Sequence, residues 1–574
     1  MPVPASAQES TASQSADFAD PLAYYHFLLG YQAELAQDTA RAIREYLAAL
    51  RADNSSVLLK GKLAALYFSR GDVASALRFA DRVAESNIND GQTLAQIAGI
   101  YAAAGQPDKA LAMYDRAMEH GQSGGEIFLA KGLLLIRLNR FDEAEAVLGR
   151  AAEHSKEAAV GYYHLGRVHA ESKRYDRAIA DFERAISLAP SHEPSFLGLV
   201  AVYEAQQDRP KAIALCKTYL KVTNPGSKEI RQQLIRLLIS EKSYEEGMAE
   251  LETILAEDPD DLDARLRMGL IYGEMKNYSK AIEELKRILA VRPAELKVRD
   301  YLGLMYEEVK DHDNAVRAYE RNIELQPSYL EGHLHLGFLL YRLKRFPEAE
   351  TYLSRVTKIS PKQPEGYLLL GLTYLQMEKF QDASQIFEGG LVHNPQHADM
   401  HFNLGTAYDK LNRFDDLVRA MESTLRIDPK HTDALNYLGY TYAERGIKID
   451  EAVSLTKRAV SLKPNNGYYL DSLGWAFFKQ GRLDEALAEL KKAVAVVGDD
   501  PVIYEHLGEI YFQRKMQPEA KEAWLHSLEL DPTNVKLIER YRERGFGDPT
   551  LEERLRQAKR KVPHSATPSQ TIQQ

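Results

Sequence analysis

The chain has 574 residues, 27% of them charged and 45% hydrophobic, with a formal net charge of −10 and a single cysteine, Cys216. That balance excludes an intramolecular disulfide and a cysteine-rich zinc site, and it supplies no global basic field for nucleic acid. No apolar run approaches the roughly 18 residues that a bilayer-spanning helix needs.

At the N-terminus, residues 1–22 are rich in Ala, Ser and Gln, and the sequence predicts a disordered segment there. Ala5-Ser6-Ala7 before Gln8 has the A-x-A form of a secretory cleavage site, a triplet that an Ala/Ser-rich end also produces by chance. From residue 23 to 534 a small residue recurs every 34 positions, twice every 35. It stands at Gly30, Ala64, Ala98, Gly132, Gly166, Val200, Ile235, Gly269, Gly303, Gly337, Gly371, Gly405, Gly439, Gly474 and Gly508, and serves below as the alignment residue. Three positions on comes an aromatic, as in Tyr101, Tyr306, Tyr442 and Phe477; twelve on comes alanine, as in Ala42, Ala178, Ala315 and Ala486. Proline closes most repeats, from Pro190 to Pro532.

Each feature has a physical reason. A small residue lets two helices approach closely, the aromatic fills the space beside that contact, and proline ends the second helix by removing a donor and restricting the residue before it. Between the helices lie turns such as Ser172-Lys173-Arg174-Tyr175-Asp176, whose acidic residue favours the start of the next helix. A single repeat leaves its apolar faces bare, so only stacking gives a stable core. Beyond the array, residues 535–561 read as two capping helical segments and 562–574 as a disordered tail.

These residues resemble the tetratricopeptide repeat. The fullest copy contains Tyr163-His164-Leu165-Gly166, Tyr175-Asp176-Arg177-Ala178-Ile179, Ala185 and Pro190. The resemblance implies an all-α solenoid of about 15 tandem helix-turn-helix repeats, wound as a right-handed superhelix whose first helices line a concave groove for a protein or peptide. Two specialised grooves of the family are not matched: no Lys and Asn clamp pair recurs, and of a ladder of asparagines two residues before the glycine only Asn403 is present.

No phosphate-cradling glycine loop, G-x-S-x-G elbow or H-E-x-x-H helix occurs, so the sequence predicts no enzyme, cofactor or metal. His393, His397 and His401 are spaced four apart, but Pro395 interrupts them and they read as turn residues. Cys216 occupies the slot of Phe182, Tyr319 and Phe387 and reads as buried packing.

Partner-binding candidates lie three residues before the alignment position and one, four or five after it. They are Phe338, Tyr341, Phe402, Tyr440, Trp475, Phe478 and Phe512, interleaved with Asp409, Lys410, Glu444, Asp471, Lys479 and Glu505. Aromatic anchors ringed by polar groups suit a peptide-holding interface. On this reading, Trp475→Ala with Phe478→Ala weakens partner capture and leaves helicity intact.

Asn436-Tyr437-Leu438-Gly439-Tyr440-Thr441-Tyr442-Ala443-Glu444-Arg445-Gly446, followed by Tyr468-Tyr469-Leu470-Asp471-Ser472-Leu473-Gly474-Trp475, is similar to a pair of repeats in Gram-negative envelope proteins of this family. Some of those are lipoprotein adaptors that present substrates, cell-wall enzymes among them, to a periplasmic carboxy-terminal processing protease. The resemblance implies an adaptor in the cell envelope or periplasm. A membrane attachment would need an N-terminal anchor outside these residues. Alternatives are a cytoplasmic scaffold, a regulatory subunit of a glycosyltransferase or export machine, and a self-assembling scaffold.

Overall fold

The computed structural model describes residues 20–120, 124–153, 158–547 and 549–561; the A-x-A triplet and the tail from 562 lie outside them. The chain divides into two compact units at Met275/Lys276. The first holds α1 (Pro21–Leu35), α2 (Thr39–Ala52), α3 (Val57–Ser69), α4 (Val73–Ala84), α5 (Gly91–Ala103), α6 (Pro107–Glu119), α7 (Gly125–Arg137), α8 (Phe141–Ala152), α9 (Ala158–Glu171), α10 (Tyr175–Leu188), α11 (Glu193–Ala205), α12 (Arg209–Val222), α13 (Lys228–Ser240), α14 (Tyr244–Glu257) and α15 (Leu262–Glu274). The second holds α16 (Tyr278–Val291), α17 (Leu296–Glu308), α18 (His312–Leu325), α19 (Leu330–Arg342), α20 (Phe346–Ile359), α21 (Pro364–Gln376), α22 (Phe380–His393), α23 (Ala398–Lys410), α24 (Phe414–Ile427), α25 (Thr432–Arg445), α26 (Ile449–Leu462), α27 (Gly467–Lys479), α28 (Leu483–Val496), α29 (Pro501–Gln513), α30 (Gln517–Leu530), α31 (Val535–Tyr541) and α32 (Pro549–Lys561). No strand occurs among the described residues, and no helix there is long and apolar enough to cross a membrane. The fold is an all-α solenoid of tandem tetratricopeptide-type helix pairs.

Close approach explains the alignment glycines. A Cβ on Gly166 would lie 2.8 Å from the ring of Phe182, and one on Gly303 would lie 2.5 Å from that of Tyr319. Both rings are buried, and Ala42, Ala178, Ala315, Ala486 and Ala520 have no exposed surface. Before Pro190, Ala189 takes φ −137° and ψ 82°, the extended backbone that a following proline demands.

The turns hold a regularity that the spacing analysis does not reveal. Seven residues past every alignment residue, from Gln37 to Lys515, φ is positive, between 57° and 85°. Only Gly71, Gly105, Gly446 and Gly481 of these are glycine; the others are Gln, Asn, Lys or Glu. The left-handed residue lets the chain reach back to the helix end, as when Lys173 N–H donates to the Ala170 carbonyl at 2.9 Å and Arg174 N–H to that of His169 at 2.8 Å. Those bonds offset a local cost of about 1–2 kcal/mol for a side-chain-bearing residue. Acidic residues then start the second helices in two ways. Asp38, Asp72, Asp208 and Asp311 accept a backbone N–H as caps, whereas Asp176 and Asp484 stand inside the first turn, facing the helix dipole.

Within each unit a second helix packs on the first helix of the next repeat. First helices also meet one another directly: α3 with α5, α7 with α9, α19 with α21, α25 with α27 and α27 with α29. They therefore crowd onto one side of each unit. At the C-terminal end α31 runs into a π-turn, Arg542–Phe546, and α32 lies on α30 with Leu551, Leu555 and Ala558 buried and Glu552, Glu553, Arg554 and Arg556 exposed.

Candidate interaction surface

On a helix of 3.6 residues per turn, positions three before, one after and four after the alignment residue project within about 60° of each other. The candidate aromatics share that sector on the first helices of the second unit. Phe338 on α19 is 41% exposed, with the Arg342 guanidinium 5.8 Å from its ring centre; Tyr341, one turn on, is half-buried against Phe346 at 5.8 Å.

On α23, Phe402 lies 4.9 Å from the His431 ring and meets Tyr437 edge-on at 6.2 Å. Tyr437 O–H donates to Asp409 Oδ2 at 2.7 Å, and burial together with that carboxylate pushes its hydroxyl pKa well up. Asp409 thus ties α23 to α25, with Lys410 exposed beside it.

The structure gathers Tyr440, Glu444, Asp471, Trp475, Phe478 and Lys479 into one cluster across α25 and α27. Trp475 is only 8% exposed. Its indole stacks on Phe478 at 4.9 Å and on His506 of α29 at 4.0 Å, and its N–H donates to Glu444 Oε2 at 2.7 Å. Lys479 Nζ sits 4.7 Å from the indole centre and 3.5 Å from the Glu444 carbonyl. Trp475 is therefore a wedge between successive first helices. Its truncation cannot be as innocent for folding as a loose groove anchor's would be, and the expectation of intact structure in the Trp475→Ala, Phe478→Ala variant is revised accordingly. The rim that faces outward consists of Tyr440, Phe478, Lys479 and the exposed Glu444.

Beneath the stack lies a buried ion pair. His506 Nδ1–H donates to Asp471 Oδ1 at 2.8 Å, with both side chains under one-tenth exposed. Burial works against the charged imidazole, but Asp471, reinforced by Glu505 and Glu444, outweighs it and holds His506 above the ordinary histidine pKa. A protonated ring on the indole gains a cation–π contribution as well. Burial, with the same carboxylates, raises the Tyr440 hydroxyl.

Glu505 and Phe512 are engaged by the C-terminal cap. Glu505 accepts from Arg540 at 3.1 Å and from Asn534 at 3.0 Å, and the Arg544 guanidinium lies 3.9 Å from the centre of the Phe512 ring. The sequence reading missed His506, Tyr437, Arg540 and Arg544. A signal for His506 exists: Asp three before one alignment residue and His two before the next occur together twice, and the other instance, Asp300 and His335, is also paired, at 3.0 Å.

Elsewhere, His397 caps α23, His401 Nε2 meets the Pro395 carbonyl at 3.1 Å, and no metal-binding group of His, Cys, Asp and Glu occurs among the described residues. Cys216 has no exposed surface, and burial pushes its thiol up to about 12.

The family profile described as Tetratricopeptide repeat matches residues 97–147, 129–193 and 368–416; another of that description matches 238–300 and 308–372, and one described as TPR repeat matches 474–515. A TPR repeat-containing protein of Pseudomonas aeruginosa is 41% identical over 75 residues, which are 13% of this chain and 12% of that protein. Among solved structures, the APC/C hetero-tetramer Cut9-Hcn1 is similar at 16% identity and TM-score 0.34, covering 93% of this chain and 96% of that one. Yeast Tom70 is similar at 16% identity and TM-score 0.30, covering 75% and 99%.

Proposed function

We propose, from the premise that this chain belongs to the tetratricopeptide-repeat proteins, that it is a non-catalytic scaffold holding a protein or peptide partner on the first-helix side of its second unit. One observation carries this reading. Phe338, Tyr341, Phe402, Tyr440 and Phe478 share one helical sector along α19 to α27, each with exposed surface left, interleaved with carboxylates. Partly exposed rings supply apolar anchoring, and the flanking charges set register and partner choice. Glu444 with Lys479, and Asp409 with Lys410, put charges of both signs along the rim, so the surface suits a segment with apolar side chains flanked by polar and charged ones.

The envelope placement and the role of presenting substrates, cell-wall enzymes for example, to a carboxy-terminal processing protease belong to the same proposal. They are supported by the run from Asn436 to Gly446 and the Tyr468-to-Trp475 segment, which build this cluster. A scaffold of this kind raises the local concentration of a substrate beside its enzyme without turning it over.

The test is affinity capture from soluble and envelope extracts of the source organism, comparing the wild-type chain with Phe338→Asp, Phe478→Asp. Recovery of an envelope protease or its substrates by the wild type, lost in the variant, supports the proposal. Cytosolic partners alone remove the envelope placement, and identical capture by both proteins removes the surface.

A further inference from the structure

Gly99 stands in the interior of α5, where only proline costs a helix more than glycine does. A Cβ on it would meet nothing within 4 Å among the described residues. Gly61, also on the first-helix side, differs: a Cβ there would lie 2.7 Å from the Thr93 side chain, so the following repeat uses that space. The space above Gly99 is used by no described part of the chain.

That space is the middle of a trough on the first-helix side of the first unit. At the positions three before and one, four and five after its alignment residue, α5 has Ala95, Gly99, Ala102 and Ala103, none with a side chain beyond Cβ. The neighbouring first helices, α3 and α7, both meet α5 and rise above this floor. Phe68 of α3, half-buried, stands on one wall; Leu133 of α7, 41% exposed, and the half-buried Ile136 stand on the other. Helices joined by short turns alternate in direction, so α3, α5 and α7 run parallel. Neighbouring axes about 8–10 Å apart put α3 roughly 16–20 Å from α7. A helix with its side chains is about 10–12 Å across and fits between the walls, lying along α5. A single extended strand, about 5 Å wide, would leave much of the floor bare.

The charges narrow the occupant. The chain has a net charge of −10, yet at these four positions α3, α5 and α7 carry no carboxylate, and Arg137 of α7 is the one charged residue. Its guanidinium reaches across the C-terminal end of α5, where Nη2–H donates to the Ala102 carbonyl at 3.3 Å, and it pairs with no carboxylate among the described residues. Arg70, just past the end of α3, is exposed at the same end of the trough. Asp72 beside it is committed to the α4 cap, accepting the Ser75 N–H at 3.0 Å.

We propose that this trough is a second docking surface, whose occupant is an amphipathic helix of a protein partner with its apolar stripe on the floor and carboxylates at the end lying between Arg70 and Arg137. Glycine lets the two backbones come close, which selects a small residue on the partner helix where it crosses Gly99. The surface is separate from the rings of the second unit, so one chain holds two partners at once and brings them together.

The test uses the full chain and a displayed library of helical peptides of about 15 residues, the length at which isolated helices become viable, with Ala, Leu, Glu and Lys varied. Affinities of the selected peptides are read by fluorescence anisotropy. Gly99→Leu fills the trough without striking a neighbour; it is expected to raise the urea midpoint and yet weaken the selected peptides at least about 10-fold. Arg70→Gln with Arg137→Gln is expected to weaken glutamate-bearing peptides about 10-fold. A proline in the middle of a peptide is expected to weaken it about 100-fold, which is the cost of proline inside a helix expressed as a ratio. Phe338→Asp, Phe478→Asp is expected to leave this binding unchanged, so failure here is distinct from failure of the second-unit surface. Enrichment of no peptide, or equal affinity for the wild type and Gly99→Leu, overturns the trough. Indifference to the arginine substitutions overturns the charge assignment, and tolerance of proline overturns the helical occupant.

Discussion

Replacing Trp475 by alanine separates packing from binding at the centre of the candidate surface. The indole is 8% exposed, stacked on Phe478 and His506, and bonded to Glu444. Truncating a buried tryptophan costs about 3–5 kcal/mol. Glu444 adds little to that, because its carboxylate is exposed and water replaces the lost donor. Repeat arrays do not unfold as one two-state body, so the loss is confined to α25, α27 and α29 and their neighbours. The assay is native-state hydrogen exchange. Amides of those helices are expected to open roughly 100- to several-thousand-fold more often, while α17 and α19 keep their protection. Trp475→Phe keeps an aromatic ring in the stack but loses the donated bond and part of the buried ring, and is expected to open these helices less than the alanine variant does. Unchanged protection in Trp475→Ala would refute the wedge and leave Trp475 a free anchor.

Three further perturbations follow from the same geometry. Gly303→Ala drives a methyl against the buried Tyr319 ring, whose O–H is fixed on Glu307 at 2.7 Å, and is expected to destabilise by about 1–2 kcal/mol; Gly99→Ala, with open space around it, is expected to stabilise by up to about 1 kcal/mol, both read by urea denaturation. The raised His506 pKa means that its stabilising charge is fully present below the unfolded value near 6.5 and is lost as pH rises through the folded value. Exchange protection in α27 and α29 should accordingly decline above that point in the wild type and stay flat in Asp471→Asn; equal slopes would contradict the pair. Lys173→Gly, at φ 57°, is expected to stabilise by about 1 kcal/mol, checked by thermal unfolding.

The helix pairs were legible because each rests on a local rule repeated along the chain. Gly166 and Ala178 sit where a close approach requires them, and Pro190 stands where the helix must end. The left-handed turn position was not, because Lys173, Lys344 and Glu378 carry no mark of positive φ; two backbone hydrogen bonds impose it on whatever side chain stands there. For the candidate surface, register gave the sector but not the depth. Trp475 and Phe338 share the position after the alignment glycine, yet one is wedged under His506 and the other half-open, a difference set by the following repeat. Glu505 and Phe512 show the same limit, since Arg540 and Arg544 reach them from segments outside the repeat.

Site-specific photocrosslinking tests the central claim most directly. A photoreactive residue replaces Phe338 or Phe478 on the first-helix side, or the exposed Lys491 on the second-helix side of the same unit. The account predicts partner adducts from the two first-helix positions and none from Lys491; adducts from Lys491 alone would contradict it.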